Sequence, residues 1–97
     1  MFPIFWLESA DADLEEITEY IGQRDIDAAE RMWHRLRDCV LPLADHPYLY
    51  RTSERAMGLR EIVAHPNYLV LYRVTATSIE IVSVVHARRQ FPIGGMQ

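Results

Sequence analysis

The sequence predicts an α+β domain in the order strand-helix-helix-strand-strand-strand, with a helical hairpin packed on a small, largely antiparallel sheet. Three observations predict it. Apolar residues between Ala10 and Leu43 recur at spacings of three and four, the period of a helix with one dry face. From residue 59 onward the pattern changes to short runs of β-branched and aromatic residues separated by turn sequences. The 97 residues, 49% hydrophobic and 25% charged, suffice for one modest core, leave no room for a second domain and exclude a chain disordered throughout.

Each element has a local cause. Ile4 to Leu7 is a short apolar run and reads as a buried first strand, with Trp6 in the core. Ser9 is the expected N-cap of the first helix, with Asp11 and Asp13 in its first turn, where negative charge suits the helix dipole. Ala10, Leu14, Ile17 and Ile21 form its dry stripe, Asp13, Glu15, Glu16 and Glu19 its wet side, and Gly22 its end. Asp25 or Asp27 starts the second helix. Its stripe of Ile26, Ala29, Trp33, Leu36, Val40 and Leu43 predicts nearly five turns with Trp33 as a core residue and Cys39 as a small core side chain. The short connection makes the pair an antiparallel hairpin. Residues 45–58 read as a loop. Leu59 to Ala64, Tyr68 to Val74 and Ile79 to Val85 read as three strands of a meander, joined by His65-Pro66-Asn67 and by Thr75-Ala76-Thr77-Ser78. Tyr68-Leu69-Val70-Leu71-Tyr72 is apolar on both faces and should be central. Residues 92–97 read as a flexible tail.

Charge narrows the function classes. The net charge is −4, and all ten basic residues are arginine. Residues 1–50 carry four arginines against eleven acids, whereas residues 51–97 carry six against three, so an acidic first half precedes a basic second half that can present a cationic face. No apolar run approaches the roughly 20 residues of a membrane helix, and the N-terminus lacks the basic flank of a signal peptide. One cysteine excludes an intrachain disulfide and a cysteine-based zinc site, and the expected compartment is the cytoplasm. His34, His46 and His65 show no metal-ligand spacing, so neither metal nor cofactor is expected. There is no glycine-rich phosphate loop and no nucleophile elbow.

Four segments, taken in order, carry a resemblance. They are Ala12-Asp13-Leu14-Glu15-Glu16-Ile17 with Tyr20-Ile21, then Gly58-Leu59-Arg60-Glu61-Ile62, then His65-Pro66-Asn67-Tyr68-Leu69-Val70-Leu71-Tyr72-Arg73-Val74, and finally Ile79-Glu80-Ile81 leading into Val84-Val85-His86-Ala87-Arg88-Arg89-Gln90. Over roughly residues 4–91 the chain resembles the RelE/ParE superfamily of type II toxin–antitoxin toxins. The resemblance implies a single RelE/ParE-like toxin domain over residues 1–91. It also implies a growth-inhibiting toxin, neutralised by a small antitoxin encoded beside it, with operator DNA reached only through that antitoxin. One branch of the superfamily cuts messenger RNA in the ribosomal A site without a metal; the ParE-like branch poisons DNA gyrase.

Acidity and the absence of lysine favour the ParE-like branch, since the ribosome-dependent relatives are typically strongly basic. The alternatives are a ribosome-dependent endonuclease of the RelE type and an inactive member that only binds antitoxin and regulates its promoter. Metal-free RNA cleavage needs a base, an acid and cations on the phosphate, for which His86, Arg73, Arg88 and Glu61 are the candidates. A binding toxin would instead present Arg60, Arg73, Arg88, Arg89 and Phe91 to its target. Arg60 and Arg73, on paired strands, could form one cationic patch or ion-pair with Glu61 or Glu80. A sheet covered on one face leaves Leu69, Leu71, Val82 and Val84 in need of cover, and these, with Tyr48 and Tyr50 of the long loop, are the expected antitoxin contacts.

Overall fold

The computed structural model describes residues 1–88 and has the predicted element order. Strand β1 is Ile4–Trp6, helix α1 is Glu8–Gly22 and helix α2 is Ile26–Asp38. A 3-10 turn at Leu41–Ala44 follows. Strands β2 (Arg60–His65), β3 (Tyr68–Val74) and β4 (Ile79–His86) come next. The sheet order is β1-β4-β3-β2; β1 runs parallel to β4, and the other pairs are antiparallel. The meander is therefore present, with β1 added at its far edge. Leu69, Val70, Leu71 and Tyr72 are all buried, as a central strand requires.

Helix starts and stops follow side-chain chemistry, with one correction. Asp25 caps α2 by accepting the Ala28 N–H at 3.0 Å. Ser9 does not cap α1: the cap position is Leu7, and the Ser9 hydroxyl donates to the Val82 carbonyl at 2.6 Å. Asp13, expected on the wet side, accepts the Ser83 hydroxyl at 2.8 Å and the Val84 N–H at 3.0 Å. Ser9 and Asp13 are four residues apart and share a helix face. Both reach a bulge in β4, where Leu71 pairs with Ser83 and Tyr72 with Ile81, so that Val82 is extra. The bulge frees backbone groups from the ladder, and α1 supplies their partners.

Helix α2 is shorter than its stripe. Pro42 has no N–H to donate into a continuing helix, so the chain tightens into the 3-10 turn while Val40 and Leu43 still reach the core. The core joins Ala10, Leu14, Leu36, Val40 and Leu43 to Ile62, Val70, Tyr72, Ile79, Ile81 and Val84 of the sheet. Trp6 packs against it from β1. Trp33 does not belong to it: it is 40% exposed, and Ile26 is 77% exposed. At about 100° per residue, Trp33 and Ile26 lie roughly 60° and 80° to one side of Leu36. The stripe is broad, and its flank turns toward α1 instead of the sheet.

The face of the sheet away from the helices is not left bare. Segment 51–59 folds back along β2, with Thr52 bridging Arg60 and the Glu61 N–H donating to the Arg51 carbonyl at 3.1 Å. Gly58 takes φ +84°, a conformation that L side chains rarely adopt, and turns the chain into β2. Arg55 extends from Glu61 on β2 to the Ala87 carbonyl just past β4, and so crosses β3.

Candidate functional site

The end of the sheet where the β2–β3 turn meets the end of β4 gathers the chain's chemically versatile groups. Register places Tyr68 opposite His86, and their ring centroids are 5.3 Å apart in an edge-to-face arrangement. His65 flanks Tyr68 on the other side at 5.9 Å. Both histidines close their strand ends in the same way. His65 Nδ1 accepts the Asn67 N–H at 3.0 Å, and His86 Nδ1 accepts the Arg88 N–H at 3.2 Å. In each ring Nδ1 is the acceptor, which leaves Nε2 as the ring's N–H donor. The Ala87 N–H donates to the Asn67 carbonyl at 2.8 Å and ties the two turns together.

Guanidinium groups surround this end. Arg35 of α2 donates to the Ala64 carbonyl at 2.7 Å, at the residue that β2 bulges out of register. Arg55 donates to Ala87 at 2.9 Å, and Arg88 is exposed. Desolvation and then the Arg35 charge hold the His65 imidazole below its ordinary pKa. The arrangement offers cations, ring faces and N–H donors to an anionic or aromatic partner.

The structure sorts the residues singled out from sequence. Arg88 lies at this end, beside His86. Arg60 and Arg73 do not form one patch. Arg60 pairs in register with Tyr72 and so lies on the helix-bearing face, where it donates to the Tyr50 carbonyl at 2.7 Å and stacks over Tyr48 at 5.0 Å. Arg73 pairs in register with Glu80 on the opposite face and donates to its carboxylate, through Nε at 2.8 Å and through a second guanidinium nitrogen. Adjacent positions along a strand point to opposite faces, so Tyr72 and Arg73 cannot share one.

Glu61 is only 5% exposed and is linked to the histidine end through Arg55. Its carboxylate accepts from Arg51 at 2.9 Å and from Ser53 at 2.9 Å, with Arg55 Nε at 3.9 Å. Leu69 and Leu71 are buried within the chain, and Val84 belongs to the core on the helix side, so the expectation that these three lie uncovered is corrected. Val82 is half-buried at the bulge, Tyr50 packs against the core, and Tyr48 is exposed. Arg89 and Phe91, like the tail at 92–97, lie outside the described residues. No group of three or more metal-ligating side chains occurs among the described residues. Cys39 is half-buried; its thiol donates to the Leu36 carbonyl at 3.2 Å, and burial, with the Asp38 charge adding, pushes its pKa up to about 12.

Sequence reasoning missed His65, Tyr68 and Arg55 as members of this end. A signal was present: His65-Pro66-Asn67 and His86-Ala87-Arg88 each place a histidine two residues before the backbone N–H that it accepts past a strand end. The meander register then brings the two together. Arg55 gave no such signal, because its reach across β3 depends on the path of a loop.

The profile of the family described as "ParE toxin of type II toxin-antitoxin system, parDE" matches residues 4–91. The chain is 38% identical over 89 residues to Toxin RelE2 of Caulobacter vibrioides, covering 92% of this chain and 99% of that one. It superposes on a chain of the chromosomal ParDE TA system from P. aeruginosa with a TM-score of 0.78 at 21% identity, covering 89% of this chain and 96% of the other. YafQ from E. coli strain BL21(DE3) has the same fold, with a TM-score of 0.53 at 15% identity over 90% of this chain and 94% of the other. A helical hairpin on a four-stranded sheet, matched over nearly its whole length by that profile and by a close relative, makes this chain a member of the ParE toxin family of type II toxin–antitoxin systems, within the RelE/ParE superfamily.

Proposed function

We propose that the chain inhibits growth by binding and poisoning DNA gyrase through the cationic, aromatic end of its sheet, and that a cognate antitoxin neutralises it. The observation that carries this reading is the dispersal of the groups a nuclease would need. Glu61 is committed to Arg51, Ser53 and Arg55, and Arg73 to Glu80. Among the described residues no carboxylate orients His86, whose bonded partner is the Arg88 N–H. A general base needs a positioned proton path, and a binding surface does not. The partner follows from the family and from the ParDE relative, whose name describes a paired system. No helix among the described residues is long and apolar enough to cross a membrane.

A ribosome-dependent endonuclease is the second reading. It is favoured by one observation: two imidazoles flank Tyr68, each with Nδ1 occupied and Nε2 left for proton exchange.

The test uses purified chain freed from its antitoxin, assayed for gyrase supercoiling and trapped cleavage complexes beside cleavage of ribosome-bound messenger RNA. Gyrase inhibition is expected. It should be retained by His86→Gln and lost on combining Arg88→Glu with Arg89→Glu, because reversing two charges at an interface costs several kcal/mol. Messenger RNA cleavage by the wild type, lost on His86→Gln, would replace this reading with the nuclease.

A further inference from the structure

A second surface lies on the far side of the helices and has the opposite sign. Two shallow depressions run between α1 and α2, and they share Glu15, Thr18 and Trp33, so they form one groove. Its apolar floor is the flank of α2 that the core does not use: Ile26, Ala29 and Trp33, spaced at i, i+3 and i+7. Its rim carries Glu8, Glu15 and Glu19 of α1 and Glu30 of α2. Among the described residues none of these four is in an ion pair. Among the described residues the one guanidinium lining the groove, Arg37, is taken by Asp11 at 3.0 Å and lies over the Trp6 and Trp33 rings.

This pattern carries a cost that the fold does not explain. Glu15 and Glu19 are like charges at i, i+4, and Asp11 precedes Glu15 by the same spacing; such pairs weaken a helix by a few tenths of a kcal/mol each, about the amount an opposite pair would contribute. Ile26 and Trp33 lie exposed between these charges. Apolar anchors at helical spacing, framed by uncompensated charge of one sign, fit a helix with an apolar stripe and flanks of the other sign. From Glu8 to Glu19 the groove follows α1 for roughly 16 Å, the length of about three helical turns.

We propose that this groove binds a cationic amphipathic helix of a partner protein, about three turns long, with its apolar stripe on Ile26 and Trp33 and its lysines or arginines against the four glutamates. The cationic end of the sheet cannot provide this interaction, since it would repel the same partner.

The probe is a synthetic 11-residue helical peptide with leucines at i, i+3, i+4 and i+7 and lysines on both flanks, compared with a twin in which every lysine is glutamate. Binding is followed by calorimetry and by amide chemical shifts on the full chain. The lysine peptide should bind with shifts confined to α1 and α2, and should weaken as salt rises. Combining Glu15→Lys, Glu19→Lys and Glu30→Lys should weaken it at least tenfold while amide shifts of the sheet remain unchanged; Trp33→Ala should weaken it separately. Equal binding of both peptides, unchanged affinity in the triple variant, shifts mapping to the sheet, no binding, or self-association of the chain through this groove would each overturn the proposal.

Discussion

Removing the Glu61 carboxylate should loosen the strap that covers the face of the sheet away from the helices. Glu61 lies on β2 opposite Leu71, and its oxygens gather Arg51, Ser53 and Arg55 from segment 51–59. A hydrogen bond to a charged group contributes about 1.5–3 kcal/mol. Two considerations reduce the total. The Arg51 side chain is 73% exposed, so its pairing is largely screened and worth about 0.5–1 kcal/mol. Arg55 sits farther away, at 3.9 Å. Adding about 1 kcal/mol for the Ser53 hydroxyl, Glu61→Ala should cost about 2 kcal/mol and Glu61→Gln, which keeps an acceptor for Ser53, about 1 kcal/mol. Urea unfolding at constant slope measures this. The strap carries Arg51, Arg55, the fully exposed Met57 and Gly58, so trypsin should cut Glu61→Ala at Arg51 and Arg55 faster than wild type, well below the urea midpoint. A cost under about 0.5 kcal/mol with unchanged trypsin kinetics would show that the carboxylate does not hold the strap.

Leu36→Ala should cost about 2–5 kcal/mol and the larger truncation Trp33→Ala only about 1–2 kcal/mol, because Leu36 is sealed in the core whereas Trp33 is partly wet and leaves no cavity; equal or reversed costs in urea unfolding would contradict the burial. Asp13→Ala should cost about 2 kcal/mol by orphaning the Val84 N–H, and Asp13→Asn less, since its amide oxygen can still accept; hydrogen exchange at Val84 should rise in the alanine variant, and an unchanged rate would refute the role of the carboxylate. His65 has a folded pKa below its ordinary 6.5, so the unfolded chain binds more protons and stability should fall as pH drops from 6.5 through the lower folded value; His65→Gln should remove that component, and an unchanged pH profile would refute it. With a pKa of about 12, Cys39 should react with a disulfide reagent at pH 8 on the order of 10³-fold more slowly than a free cysteine, and comparable rates would refute its burial.

Much of the architecture was legible because periodicity reports the backbone directly. The β3 bounds, Tyr68–Val74, follow from an apolar run between two turn sequences, and Asp25 caps α2 as its side chain predicts. What failed depended on azimuth or on a bulge. The Ile26-to-Leu43 stripe correctly announces a helix, but spacing alone does not say which part of a stripe about 100° wide meets the sheet. Thus Leu36 is core and Trp33 is not. Ser9 and Asp13 look like a cap and a first-turn acid until β4 is known to bulge at Val82 and to free the groups that they bind.

The candidate site failed in sequence for a related reason, and the failure bears on mechanism. Arg60, Glu61, Arg73 and His86 come from three strands, and a list of such residues carries no sidedness. Register assigns it: Arg60 goes to the helix-bearing face, while Arg73 and Glu61 go to the other face with Glu80 and Leu71. Each of these charges then finds a local partner, Arg73 on Glu80, Glu61 on the strap, and Arg60 on the Tyr50 carbonyl and Tyr48 ring. Charges so satisfied stabilise the strap and the sheet edge, and withdrawing one for proton transfer would have to break its pairing first. His86 packs edge-to-face on Tyr68 and accepts the Arg88 N–H at the sheet end, where Arg35 and Arg55 add positive charge. A surface of this kind can attract an anionic partner through charge alone, which is what the proposed binding role asks of it.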